Sequence, residues 1–142
     1  MAAILRTAHG TWHGDLKSGR GTIDAPSSGV LRDTPFTFAT RFENAKGTNP
    51  EELIAAAHAA CFSMAFSNYL SQKGHVPDTI ATKATITLDA GKINHMHLET
   101  RGRVAGLDNA TFKQLADEAE KNCPVSNLLR SGLAITLDAA LL

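Results

Sequence analysis

Residues 47–74, GTNPEELIAAAHAACFSMAFSNYLSQKG, decide the fold. Asn49 is a good N-cap, Pro50 suits a first helical position, and Glu52 falls where a capping carboxylate sits, so the spacing predicts a helix starting at Pro50. Run on to Lys73, it would measure about 36 Å, whereas a compact chain of this size has a radius of gyration of about 14 Å. Leu53, Ile54, Phe62, Met64, Phe66, Tyr69 and Leu70 point in many directions, so the helix is expected to be buried all round. Ala55 to Ala57, with Ala59 and Ala60, make its middle slim enough for another helix to approach closely. No other segment predicts a helix of this length. The simplest partner is the same helix from a second copy, packed across a two-fold axis.

The flanking segments are built differently. AAILRTAHGTWHG and GRGTIDA are short, rich in threonine and β-branched residues and bounded by glycine, and TPFTFATRFE alternates Phe36 and Phe38 against Thr37, Ala39 and Arg41. They predict a three-stranded meander with Arg41 near the end of its third strand. After Gly74, TIATKATITLD places Ile80, Ala84, Ile86 and Leu88 on one face, DAGKIN can turn, and HMHLETRGRV places Met96, Leu98 and Val104 on one face. Phe112, Leu115, Ala116 and Ala119 follow at helical spacing, and Ile135, Leu137, Ala139 and Leu141 alternate. The expected order is βββα then ββααβ, an α+β fold.

At 142 residues and 43% hydrophobic, the chain has enough apolar material for a core, and one domain spanning 1–142 is expected. Lys plus Arg and Asp plus Glu number 14 each, so there is no overall field to draw nucleic acid or an anionic membrane. The first residues lack the apolar run of a secretion signal, and no stretch reaches the roughly 18 consecutive apolar residues of a membrane span. A cytoplasmic protein is expected. Two cysteines do not make a disulfide-dense secreted framework, so a pairing between them would be chemical rather than architectural.

Cys61 lies in the smooth middle of the long helix and reads, alone, as a small buried hydrophobe. Cys123 is followed by Pro124, the favoured first residue of a helix, so it should occupy an N-cap, where the local dipole favours a thiolate. Glu51 and Glu52 both suit the positive end of the long helix. The histidines offer a different class of function, a metal-binding or ligand-binding protein with inert cysteines. His58 and Cys61 are three apart on one helix, and His95 and His97 share a strand face. That face is the polar one, with Glu99, Arg101 and Arg103, and nothing in the pattern brings it to Cys61.

TRFENAKGTNPEELIAAAHAACFSMAFSNYL and NCPVSNLL resemble the two cysteine motifs of the OsmC and Ohr family, the osmotically inducible and organic hydroperoxide resistance proteins. The likeness extends more weakly over the whole chain, and TRFE before GTNPEEL resembles the OsmC branch more than the Ohr branch. The resemblance implies an intertwined homodimer, sheets wrapped around two long central helices, acting as a thiol-dependent peroxidase on organic hydroperoxides without a cofactor or metal. Cys61 is implied as the peroxidatic cysteine and Cys123 as the resolving one. Arg41 and Glu51 match positions that the family uses to activate the thiolate. The Ohr branch places its arginine nearer the N-terminus, where this chain has Arg20, so both arginines stand as candidates. A dithiol reductant, of lipoyl or thioredoxin type, is also implied.

Those residue types suit the chemistry. A thiol with a pKa of about 8.5 is mostly protonated at neutral pH, and burial raises it, so a nucleophilic cysteine in an apolar helix needs a positive neighbour. A guanidinium stays charged when partly buried, and a carboxylate such as Glu51 can fix its fork. Glu51 lies ten residues before Cys61, about 15 Å along a helix, beyond the reach of its side chain. A second copy crossing in the opposite sense would bring its own first turn towards Cys61 instead.

Overall fold

The computed structural model describes residues 1–142, which fall into two compact units, Met1–Leu53 and Ile54–Leu142. The first unit contains a three-stranded antiparallel sheet in the order β1 (His9–His13), β2 (Arg20–Asp24), β3 (Thr34–Phe36). Helix α1 (Phe38–Phe42) follows, and then the first turn of α2 (Pro50–Gln72).

The third strand ends earlier than the alternation predicts, and Arg41 lies on α1 instead of a strand. The cause is local. Thr37 Oγ1 accepts from the Thr40 backbone N–H at 3.2 Å, and the Thr37 N–H donates to Thr40 Oγ1 at 2.9 Å. This reciprocal cap satisfies two backbone donors at once and turns the chain into a helix after Phe36. Pro35, which has no N–H to donate, is tolerated because β3 pairs on one side only. The order is therefore βββαα then ββααβ, still α+β.

Helix α2 begins at Pro50 as the sequence predicts, with the Glu52 N–H donating to Asn49 Oδ1 at 2.8 Å. The Glu52 carboxylate turns to the Thr48 hydroxyl, 2.9 Å away. By length and composition α2 could cross a membrane, but His58, Phe62, Phe66 and Leu70 form a buried stripe at i, i+4 spacing along it, and its three apolar members join the core of the second unit. In the single chain the buried residues of α2 are that stripe and Glu51 in the first turn. Ala56, Ala57, Ala60 and Met64 lie on an exposed face, so the expectation of burial all round is not met within one chain.

The second unit carries an independent three-stranded sheet, β4 (Thr79–Asp89), β5 (Lys92–Arg103) and β6 (Ala134–Leu141), in that order. A two-residue turn joins β4 to antiparallel β5, with Ala90 and Gly91 both at positive φ (48° and 78°), the backbone that a tight hairpin requires. Strand β6 runs parallel to β5, a pairing that needs a long crossover; α3 (Asn109–Asn122) and α4 (Pro124–Leu129) form it. Met96 and Leu98 of β5 pack with Phe112, Leu115, Ala116 and Ala119 of α3 and the α2 stripe. Phe66 meets Phe112 edge-on, ring centroids 4.9 Å apart. Gly102 lets α3 come close: a Cβ there would lie 2.7 Å from the Phe112 ring. His95 and His97 lie on the other face, as their alternation predicts, and both rings reach the Thr136 hydroxyl, at 3.0 and 2.6 Å.

Candidate active site

Cys61 and Cys123, 62 residues apart in sequence, meet in the second unit with their sulfurs 3.6 Å apart, both as free thiols. Each is placed by a different element. Cys61 sits on α2 beside the buried Phe62, which locks that face of the helix into the core. Cys123 closes α3 and is the N-cap of α4, with its N–H donating to the Glu120 carbonyl at 3.2 Å and Pro124 at the first helical position. The N-cap position is as the sequence predicts, but the thiol does not itself cap; it faces Cys61.

Cys123 is fully buried, whereas Cys61 is partly open to solvent. A cleft of about 820 Å³ opens at Cys61, lined on its apolar side by Met64, Ala65, Ala119 and Pro124. Phe62 and Phe66 are core, so the apolar wall beside the thiol comes from Met64 and the small residues. Asn68, Tyr69 and Asn122 add polar edges, and the Tyr69 hydroxyl donates to the Glu118 carboxylate. Burial pushes the Cys61 thiol up, the neighbouring Cys123 adds to that, and only a hydrogen bond from the Val125 backbone N–H favours its thiolate.

The first unit brings Arg41 and Glu51 together. Arg41 donates from Nη2 to Glu51 Oε1 at 2.8 Å and from Nε to the two carboxylate oxygens at 3.1 and 3.3 Å. Glu51 is 7% exposed, and the side chain of Arg41 is 36% exposed. The guanidinium also lies over the Phe42 ring, 5.0 Å from its centroid, and borders an aromatic cavity of about 230 Å³ with Trp12, Phe36 and Phe38. Arg20 is an exposed residue of β2 and makes no ion pair.

Two further polar contacts involve α4, and no sequence pattern marks them as pairs. Ser126 of α4 hydrogen-bonds His58 of α2, Oγ to Nε2, at 2.7 Å, and both side chains are fully buried. Arg130, the C-cap of α4, pairs with Glu120 of α3 at 2.7 Å. The only hint in the sequence is His58 three residues before Cys61; its partner follows Cys123 by the same interval. The Nε2 atom of His58 is thus engaged by a hydroxyl.

A mixed α+β chain with two facing thiols, one on a long helix and one at the junction of two shorter helices, defines the class of protein. Residues 43–138 match the family described as OsmC-like protein. The chain is 48% identical over 139 residues to peroxiredoxin OsmC of Escherichia coli K12, covering 95% of each chain. It is 32% identical over 141 residues to an organic hydroperoxide resistance protein of Xanthomonas axonopodis pv. citri, covering 96% of each. Among solved structures, the organic hydroperoxide resistance protein OhrB of Bacillus subtilis superposes with a TM-score of 0.63 at 27% identity, over 94% of this chain and 97% of that one. The chain belongs to the OsmC-like protein family.

Proposed function

We propose that the chain is a thiol-dependent peroxidase that reduces organic hydroperoxides, and hydrogen peroxide less well, through a sulfenic acid on Cys61 and a Cys61–Cys123 disulfide. The observation that carries this reading is the 3.6 Å approach of two free thiols, one half-open to a cleft and one buried behind it. Relatives named peroxiredoxin and organic hydroperoxide resistance protein support a peroxidase-type enzyme.

The Cys61 thiolate attacks the terminal oxygen of a hydroperoxide, the O–O bond breaks, and the alkoxide takes up a proton and leaves as an alcohol. Cys61 is oxidised to the sulfenic acid. The Cys123 thiol then attacks that sulfur, and its proton leaves with the hydroxyl as water as the disulfide forms. An external dithiol, of lipoyl or thioredoxin type, resets the pair by exchange, and a cytoplasmic location suits such a reductant.

Because burial works against the thiolate, the reaction needs a cation beside it. The Arg41–Glu51 fork supplies it in this reading, delivered by the second copy of a homodimer in which residues 1–142 act as one OsmC-like domain. The carboxylate holds the planar guanidinium in one orientation, and the free edge of the fork faces thiolate and peroxide together. The aromatic cavity beside Arg41 suits a hydrocarbon tail.

Titration with cumene hydroperoxide tests the reading. Wild-type protein should lose both thiols of each chain without crosslinking between chains. Cys61→Ser should consume no peroxide, and Cys123→Ser should consume about one equivalent and stop at a sulfenic acid that dimedone traps. Retention of both thiols after excess peroxide would make the chain a binding protein with inert cysteines.

A further inference from the structure

Helices α2 and α4 are joined by two rungs. One is the thiol pair, Cys61 to Cys123 at 3.6 Å; the other is the His58–Ser126 hydrogen bond at 2.7 Å. His58 precedes Cys61 by three residues and Ser126 follows Cys123 by three, so the rungs lie about one helical turn apart, about 4.5 Å along either axis. The His58, Cys123 and Ser126 side chains are all fully buried.

The second rung is an expensive choice for a core position. The imidazole Nδ1 has no hydrogen-bond partner, and a buried polar atom left unpaired is destabilising, whereas an apolar side chain of similar size would carry no such cost. What the imidazole provides is a directional bond to α4. That helix has only six residues, too few to hold its own place, and its other polar tether is Arg130 to Glu120 at its far end. Apart from the thiol pair itself, the His58–Ser126 bond is the one polar contact between side chains of α4 and α2.

We propose that His58 is a positioning residue for the resolving step: by holding Ser126 it sets the reach of Cys123 to Cys61. The sulfurs must close from 3.6 Å to about 2.05 Å for a bond to form, so a small loss of register at α4 removes the approach. His58 touches neither peroxide nor sulfur in this role. The inference rests on the peroxidase reading for its biological meaning, but the pairing of the two thiols can be measured without peroxide.

The experiment uses full-length protein in three variants, His58→Leu, Ser126→Ala and His58→Gln, the last retaining an amide that can bond Ser126. Each is equilibrated in glutathione buffers, where oxidised glutathione takes two electrons from the thiol pair and is released as two reduced molecules, and free thiols are counted. His58→Leu and Ser126→Ala should each weaken the Cys61–Cys123 disulfide about tenfold, a shift of about 30 mV for a two-electron couple, and His58→Gln should recover most of it. In single turnovers with cumene hydroperoxide, the same two variants should accumulate dimedone-trappable sulfenic acid while consuming the first equivalent within about twofold of the wild-type rate. An unshifted glutathione equilibrium in both Ser126→Ala and His58→Leu overturns the proposal. Should Cys61→Ser consume peroxide like wild type, the peroxidase reading fails, and the glutathione result still decides the role of His58.

Discussion

Glu51 is a carboxylate nearly out of water, and the Arg41 fork is its charge partner. Arg41→Met therefore has two consequences. It leaves a buried charge uncompensated, costing about 1–2 kcal/mol after allowance for the exposure of the arginine. In the proposed dimer it also removes the cation from the thiolate, so the pH at which Cys61 reacts with iodoacetamide should rise, whereas Arg20→Met should leave it unchanged. The opposite pattern would move the role to Arg20. His58 allows a separate pH test. Burial lowers its pKa below the ordinary 6.5; Glu120 works against that shift, and Arg130 adds to it. The unfolded chain then binds a proton that the folded chain refuses, so the stability is fully present above pH 6.5 and is lost as pH falls from there towards the folded value, by at most about 1.4 kcal/mol per pH unit. Melting temperatures measured between pH 7.5 and 5.5 should fall for wild type and fall less for His58→Gln. An equal slope in both would exclude His58 as the titrating group.

Among the elements, α1 shows what periodicity misses. Phe36 and Phe38 alternate as a strand does, but Thr37 and Thr40 cap each other, and this short-range bond overrides the pattern. Thr37→Ala should cost about 1 kcal/mol by urea unfolding, the usual worth of a cap. Gly102→Ala should cost about 1–3 kcal/mol, because the added methyl must displace the Phe112 ring from the sheet. Helix α2, the β4–β5 hairpin and α3 were legible because each carries its evidence within its own span: Asn49 and Pro50 at a start, Gly91 at a turn, a 3.6-residue repeat. The Arg41–Glu51 fork and the thiol pair could be anticipated from motifs but not placed by local pattern. The His58–Ser126 bond joins two residues 68 apart and leaves no periodic trace at either end, so only the folded chain reveals it.

At the scale of the whole molecule, the exposed stripe of α2 sets the expectation. Ala56, Ala57 and Ala60 present a smooth apolar ridge beside Met64, which is 74% exposed in the single chain. If the proposed homodimer packs on this ridge, a charge placed there should keep copies apart, and Ala60→Arg is then expected to sediment as a monomer of about half the wild-type mass. If the partner supplies the Arg41–Glu51 fork, refolding an equal mixture of inactive Glu51→Ala and inactive Cys61→Ser should restore about a quarter of wild-type activity, since half the dimers are mixed and each holds one intact site. Mixed dimers seen by mass with no activity above the parents would return Glu51 to a purely structural role. The bare ridge has a kinetic corollary. An enzyme completed by its neighbour changes reaction order with its own concentration: first order in chain where pairs are saturated, second order once dilution outpaces association. Specific activity should then decline on dilution and recover on adding Cys61→Ser chains that have no turnover of their own.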